Sequence, residues 1–199
     1  MIEFWIYFEN GLRHILNLLS CKHILFLVVL TVPYESKDWK KIVLLVSFFT
    51  IGNMLALMLS FFGVIVIKLK LIGFLTPIII LLVALYAIFT AGKSSKQVVI
   101  NWISFITLFI GILHGLGFAN YFNSTASESH QSTLLSILEF SLGIQLGQIM
   151  IVMIVLLFSY IFQTVFRFSK RDWILVMSSL VIGVVLPMII RNEIWKSLN

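Results

Sequence analysis

The sequence predicts an all-α integral membrane protein, a polytopic helical bundle with six or seven transmembrane helices and short loops. Of its 199 residues, 60% are apolar and only 11% are charged, whereas about 45–50% and about 25% are usual. The long apolar runs, such as Ile78–Phe89 and Ile149–Phe162, lack the alternation over ~10 residues that is typical of a transmembrane barrel. So few charges could not cover a soluble domain. A soluble enzyme and a nucleic-acid-binding protein are therefore excluded, and the expected surroundings are the lipid bilayer.

The N-terminal third contains two short apolar segments. Phe4–Leu19 carries three ionisable residues, and His23–Pro33 is only 11 residues long, whereas a spanning helix needs about 20 apolar residues. The two segments are either two short spans or one span and a re-entrant piece. The polar stretch Asn17–Lys22 between them predicts a break in the helix.

Five longer apolar runs follow, and each predicts a membrane-spanning helix. Four reach about 20 residues, and the fifth is slightly short. The runs are Lys41–Phe62, Leu71–Ala91, Val98–Phe122, Thr133–Phe162 and Trp173–Ile190. Pro77 and Pro187 lie inside two of them, where each proline frees a backbone carbonyl and is expected to bend its helix. Together with the N-terminal segments, the runs favour seven spans over six, in a single transmembrane domain over residues 1–199.

The net charge of +6 comes from 14 Lys and Arg against 8 Asp and Glu, mostly in clusters between the apolar runs. Tyr34–Lys40, Gly92–Gln97 and Gln163–Asp172 are basic, whereas Asn123–Ser132 has no Lys or Arg. If every run spans, the three basic loops share one face. Because basic loops stay on the cytoplasmic side, we predict that these loops and the N-terminus are cytoplasmic and that Asn123–Ser132 faces outward.

Small residues recur at helical spacing in two of the runs. Gly52, Ala56 and Ser60 repeat every four residues, and Gly143 and Gly147 form a GxxxG pair. Such stripes let two helix backbones approach closely, because lipid offers no hydrophobic drive for helix association. Both stripes are expected to face other helices.

Three histidines, His14, His23 and His114, lie within apolar segments. Ionisable groups in membrane helices are rare and costly, so each is a candidate functional group, and imidazole is the commonest metal ligand. Alternatively, each histidine hydrogen-bonds a neighbouring helix. On one continuous helix His14 and His23 would be ~13.5 Å apart and half a turn out of phase. They could share a metal only if the chain breaks between them, and we predict that all three converge.

Neutral polar groups also lie inside the apolar runs. Gln145, Gln148 and Ser141 share one face of a predicted helix, and this polar stripe either lines a pathway or satisfies neighbouring backbone groups. His114 opens the segment His-Gly-Leu-Gly-Phe-Ala, and its two glycines allow a closely approached or irregular backbone at membrane depth.

Five blocks of this sequence resemble the HupE/UreJ family of small bacterial membrane proteins, in order and over most of the chain. Gly11–Leu16 is similar to the family's Gly-x-x-His-Ile-Leu, and Lys22–Phe26 is similar to its Asp-His-x-Leu-Phe. Phe49–Met54 is similar to Phe-Thr-x-Gly-His-Ser, and His114–Ala119 to His-Gly-Leu-Gly-Phe-Ala. Phe140–Gln148 is similar to Phe-Asn-x-Gly-Val-Glu-x-Gly-Gln. The fourth block is intact. The resemblance implies a role in the uptake of nickel or cobalt for hydrogenase and urease.

The chain departs from the family pattern at three positions. Lys22, Asn53 and Gln145 stand where the family has Asp, His and Glu. All three changes remove a carboxylate or imidazole that the resemblance implies as a metal ligand. The expected metal ligands are therefore His14, His23 and His114, with Asn53 and Gln145 at altered ligand positions.

The resemblance implies passage of a divalent metal, nickel or cobalt, as cargo through a histidine-bearing polar centre in the bacterial cytoplasmic membrane. No resident cofactor is expected, and a haem would need two histidines on facing helices. The alternative is a transport-inactive structural or accessory subunit, with a second copy or other membrane proteins as partners. An enzyme is not expected, because no Ser or Cys nucleophile has a recognisable base.

Overall fold

A computed structural model describes residues 2–17, 21–65, 69–92, 100–126 and 133–197. Every regular element in these ranges is helical. The seven α-helices are α1 (Ile2–Leu16), α2 (Lys22–Thr31), α3 (Trp39–Phe61), α4 (Leu69–Thr90), α5 (Ile100–Ala126), α6 (Thr133–Thr164) and α7 (Lys170–Ile190), with short 3-10 helices at Ser36–Asp38 and Glu193–Ser197. The predicted all-α class is confirmed, and the five long apolar runs match α3 to α7 to within a few residues.

Four of the described helices are long and apolar enough to cross a membrane. They occupy Ser36–Phe61, Lys70–Thr90, Leu134–Thr164 and Lys170–Trp195. Helix α5 has 27 residues, and its stretch Ser104–Gly117 is apolar. The loops predicted at Gly92–Gln97 and Asn123–Ser132 lie mostly outside the described residues, so the predicted orientation of the chain stays a prediction.

The N-terminal third forms two separate helices, as the predicted break requires. Helix α1 has 15 residues and α2 has 10, so they measure about 22 Å and about 15 Å. The hydrocarbon core of a bilayer is about 30 Å thick. Neither helix is long enough to cross it alone, and the choice between two short spans and a re-entrant piece stays open.

The described residues divide into two compact units. Unit 1 comprises Met1–Asn17, Leu44–Ile72 and Val99–Gln148, and unit 2 comprises Leu18–Val43, Gly73–Val98 and Ile149–Asn199. The boundaries fall inside α3, α4 and α6, so these helices contribute residues to both units.

Two pairs of glycines bring helix backbones together in unit 1. A Cβ at Gly11 of α1 would overlap the carbonyl oxygen of Phe140 on α6, and one at Gly143 of α6 would overlap the carbonyl oxygen of Phe8 on α1. The two helices therefore cross with backbone against backbone, which only glycine permits.

Helices α3 and α5 repeat this arrangement. A Cβ at Gly52 would overlap the carbonyl oxygen of Leu108, and one at Gly111 would overlap the carbonyl oxygen of Phe49. Ala56, one turn beyond Gly52, is fully buried. The prediction that the glycine stripes face other helices is confirmed for Gly52, Ala56, Gly143 and Gly147.

The C-terminal segment of unit 2 packs on α4 at the proline gap, the place where Pro77 leaves a backbone carbonyl of α4 without its usual hydrogen bond. Pro77 has no N–H, so the carbonyl of Gly73 four residues earlier loses its intrahelical donor. The Asn192 side-chain Nδ2 donates to this carbonyl at 3.3 Å, and its Oδ1 accepts from the backbone N–H of Ile194 at 3.1 Å. The Trp195 ring packs edge-on against Phe74 with centroids 5.4 Å apart.

Charged side chains hold together a different part of unit 2. Glu35 accepts from Lys37 at 2.6 Å and from Lys170 at 3.1 Å. These hydrogen bonds hold the pKa of the Glu35 carboxyl below its usual value, and the one from Lys37 has the larger effect. Lys170 begins α7, whose N-cap Ser169 accepts from the backbone N–H of Asp172 at 3.1 Å.

Candidate functional site

A buried polar contact joins α3 to α6 within unit 1. The Thr50 hydroxyl lies 2.6 Å from Gln145 Oε1 and 3.2 Å from Gln148 Oε1, and Gln145 Nε2 donates to the Ser47 hydroxyl at 3.1 Å. Gln148 is fully buried. Helical spacing places both glutamines on one face of α6. In apolar surroundings, a hydrogen bond to a polar side chain of the next helix stabilises the contact between the two helices. Gln145 and Gln148, two of the three residues of the predicted polar stripe on α6, therefore face α3.

Thr50 stands at the centre of this contact. Its hydroxyl also lies 3.1 Å from the backbone carbonyl of Val46, so it faces three acceptors with a single proton. A hydroxyl donates one hydrogen bond and accepts others. Turning an amide group by 180° exchanges its oxygen and nitrogen with little change in shape. The cluster is better satisfied when one glutamine presents its NH₂ group to Thr50 than when both present their oxygens. The amide of Gln148 is the natural one to turn, since among the described residues its Nε2 has no hydrogen-bond partner.

Asn53 lies one turn further along α3, where that helix meets α5. A Cβ at Gly115 would overlap the Asn53 side-chain oxygen and would lie only 2.7 Å from the Asn53 carbonyl oxygen and 2.8 Å from the Ala56 Cβ. The glycine after His114 thus makes room for Asn53. Asn53 is buried, and its Oδ1 has no hydrogen-bond partner among the described residues.

His114 lies at the same contact between α3 and α5. Its ring is 5.5 Å from the ring of Phe49, measured between centroids and tilted by 56°. Of the predicted site residues, His114, Asn53 and Gln145 therefore all lie at contacts made by α3. The structure brings these three positions to one helix, within six residues of one another along it.

His14 occupies a different contact in unit 1. Its ring is half-buried and lies 6.2 Å from the ring of Phe140 on α6. The neighbouring Arg13 pairs with Glu9 at 2.6 Å on the exposed side of α1. His14 therefore lies beside the glycine crossing of α1 and α6.

His23 lies in unit 2, on α2, and is buried. Among the residues that the structure describes, no three His, Cys, Asp or Glu side chains are grouped so as to hold a metal ion. The assignment of His14, His23 and His114 as metal ligands stays a prediction.

The sequence did not single out several residues that build these contacts. Gly11 and Gly111 are the partners of the predicted Gly143 and Gly52, and Ser47 supplies the acceptor for Gln145. Gly111 and Gly115 are spaced as a GxxxG pair, which is a signal that could have been found. Nothing in the sequence pattern marks Ser47, because a hydroxyl in an apolar run commonly bonds its own helix.

The fold and these contacts define a class of protein, a helical integral membrane protein with its polar side chains gathered at helix crossings. Comparison with protein-family models identifies the family more closely. The model described as HupE / UreJ protein matches residues 1–192, so the chain belongs to the HupE/UreJ family, and the predicted resemblance is confirmed. Comparison with curated proteins and with solved structures found no match.

Proposed function

We propose that this protein is a multi-pass permease of the bacterial cytoplasmic membrane that passes a divalent metal ion, nickel or cobalt, through the polar centre around α3. Membership in the HupE/UreJ family supports the link to these metals. The observation that carries the proposal is the gathering of His114, Asn53 and Gln145 at contacts of one helix. Side chains at helix crossings that carry oxygen or nitrogen ligand atoms can replace the water molecules around an ion.

The centre around α3 offers a metal one imidazole and no carboxylate. His114 supplies an imidazole, which suits nickel and cobalt, whereas Asn53 and Gln145 supply neutral amide oxygens. A divalent charge in a low-dielectric interior needs anionic compensation. Low affinity suits passage better than storage, since an ion has to leave as readily as it enters.

A second candidate is a transport-inactive accessory subunit of a membrane complex. The observation that favours it is the set of hydrogen bonds of Gln145, whose oxygen and nitrogen are both engaged by Thr50 and Ser47. In this alternative, the polar side chains hold α3 and α6 together, and the partner is another membrane protein or a second copy of this chain.

Metal binding and uptake distinguish the two candidates. We would measure nickel and cobalt binding by calorimetry on the purified protein and on the double variant Asn53→His/Gln145→Glu, which restores a ligand and a charge. Adding Lys22→Asp replaces a repelling cation beside His23 with an attracting carboxylate. The permease proposal predicts weak binding by the unchanged protein and binding at least about tenfold tighter by the variants. It also predicts that cells that lack their own nickel importer take up radiolabelled nickel when they express this protein.

The matched control is Gln163→Glu, which adds the same carboxylate to α6 outside the polar centre, where Gln163 bonds Ser159 at 2.6 Å. Its metal affinity should equal that of the unchanged protein. If the double and triple variants fold but bind no better than this control, and uptake is absent, the permease proposal fails and the accessory-subunit alternative takes its place.

A further inference from the structure

An open groove of about 430 Å³ lies in unit 2, where the ends of three helices meet. It is lined by Lys22 at the start of α2, by Gly73 and Pro77 of α4, and by Pro187, Met188, Arg191, Asn192 and Glu193 at the end of α7. Its volume falls in the range of about 300–1,000 Å³ that holds a small organic molecule. The permease proposal assigns it no role.

The groove brings two cations together from distant parts of the chain. Lys22 and Arg191 belong to different helices, and among the described residues neither makes an ion pair. Among the described residues that line the groove, Glu193 is the one acidic residue. Two basic groups against one acidic group give the groove a net positive charge, which repels a metal cation and attracts an anion.

The amino end of α2 adds to this positive field. Lys22 is its first residue, and the N-cap Cys21 makes no side-chain hydrogen bond to the helix. The amino end of a helix carries a partial positive charge and backbone N–H groups suited to phosphate. The carboxyl end of α7 acts in the opposite sense, and Arg191 at its C-cap offsets it.

The walls of the groove are fixed by contacts that leave its cations available. The side-chain amide of Asn192 is already bonded to the Gly73 carbonyl and to the Ile194 N–H, so Asn192 forms part of the wall and is not expected to bind the anion. The Trp195 indole donates to the Ile189 carbonyl at 2.8 Å. Tryptophan is typical of the membrane–water interface, where phosphate groups of lipids are found.

We propose that this groove binds a phosphate-bearing anion through Lys22, Arg191 and the amino end of α2. Two sources carry that chemistry, the headgroup of an anionic phospholipid and free inorganic phosphate. Basic pockets between transmembrane helices bind the headgroups of anionic lipids. The volume exceeds the needs of a single small ion and leaves room for a headgroup.

The experiment uses the full-length protein purified in detergent and has two arms. Native mass spectrometry follows retention of phosphatidylglycerol against phosphatidylethanolamine, and calorimetry follows binding of inorganic phosphate without lipid. Replacing both cations, Lys22→Gln/Arg191→Gln, should weaken binding of the anion about 25-fold, since each cation contributes about fivefold. Arg171→Gln, at the other end of α7, is the matched control and should leave binding unchanged. The Glu193→Gln variant removes the repelling carboxylate and should tighten binding severalfold.

Each outcome decides the proposal. If the double variant loses only the retention of phosphatidylglycerol, the result supports the proposal and identifies a lipid headgroup as the anion. If it loses only the binding of inorganic phosphate, the result supports the proposal and identifies free phosphate. Equal retention and equal phosphate binding by the double variant and by Arg171→Gln overturn it. If the double variant does not fold, Glu193→Gln decides, because unchanged binding there contradicts an electrostatic site. Lys22 is also changed in the triple variant of the metal test, whereas Glu193→Gln alters none of the positions changed there, so the Glu193→Gln result is independent of metal binding.

Discussion

The two units of this protein associate their helices by opposite means. In unit 1, glycines let backbones touch, and neutral polar side chains bond one another in the buried interior. In unit 2, side chains at the helix ends make the connections, with Asn192 over the proline gap of α4 and Glu35 held by two lysines. Contacts of the first kind tolerate no added volume, whereas contacts of the second kind can adjust by rotating a side chain.

The largest expected difference concerns glycines. Gly143→Ala should lower the free energy of unfolding by about 3 kcal/mol, because the new methyl group would overlap the Phe8 backbone carbonyl. Gly147→Ala, one turn away on the same helix, should cost much less, since the atoms nearest to its methyl group would be side-chain atoms of Ile15 and Leu12, which can move, rather than backbone. The measurement is unfolding in mixed detergent micelles.

Gly183→Ala provides the control from unit 2. Apart from the backbone of its own helix, no atom of the described residues lies within 4 Å of the position that its methyl group would take, so we expect no loss and a gain of up to about 1 kcal/mol from helix propensity. Equal losses for Gly143→Ala and Gly147→Ala would mean that α1 and α6 do not cross as closely as described.

The next largest effect concerns the proline gap. Asn192→Ala removes the donor to the Gly73 carbonyl and should lower the free energy of unfolding by about 1–2 kcal/mol, the cost of an unsatisfied acceptor. In a Pro77→Ala background the new backbone N–H at position 77 can reach that carbonyl. There, Asn192→Ala should cost little, and a double-mutant cycle measures the coupling. Additive losses would show that Asn192 stabilises the C-terminal segment in some other way.

The smallest effect concerns Glu35. Because its folded pKa lies below the ordinary value of 4.5, its ion pairs stabilise the protein above that pH, and this contribution is lost as the pH falls through the lowered folded pKa. Glu35→Gln should therefore lower stability at neutral pH, by no more than about 1 kcal/mol for a pair as exposed as Glu35–Lys170. Thermal unfolding followed from neutral to acidic pH should show the two proteins converge at low pH. A difference that persists there would point to packing rather than charge.

Most of the fold could be predicted from the sequence, because length and apolarity alone mark a membrane helix. The ends of α3 to α7 fall near the ends of the five apolar runs for that reason. The two N-terminal helices were harder to predict, since α1 carries Glu9 and Arg13, and these charges interrupt the hydropathy pattern without ending the helix. There the charges pair with each other four residues apart on its exposed side.

The candidate site could be predicted only in part. Hydropathy and spacing singled out Gln145, Gln148 and His114 as polar groups in apolar helices, and the structure places all three at contacts with α3. Which partner each group meets depends on the crossing of helices that are distant in sequence. Ser47 and Thr50 are examples, because an isolated hydroxyl carries no sign of the glutamine that it meets about 95 residues later.

Helix α6 is much longer than a bilayer requires. Its 32 residues measure about 48 Å, against a hydrocarbon thickness of about 30 Å. To fit entirely within that thickness it would have to tilt by about 51°, beyond the range of about 0–40° found for membrane helices. Part of α6 must therefore project into the headgroup region or the water beyond. A thicker or thinner bilayer would change how much of this helix is immersed, so hydrophobic mismatch can be absorbed by sliding or tilting without stretching the protein.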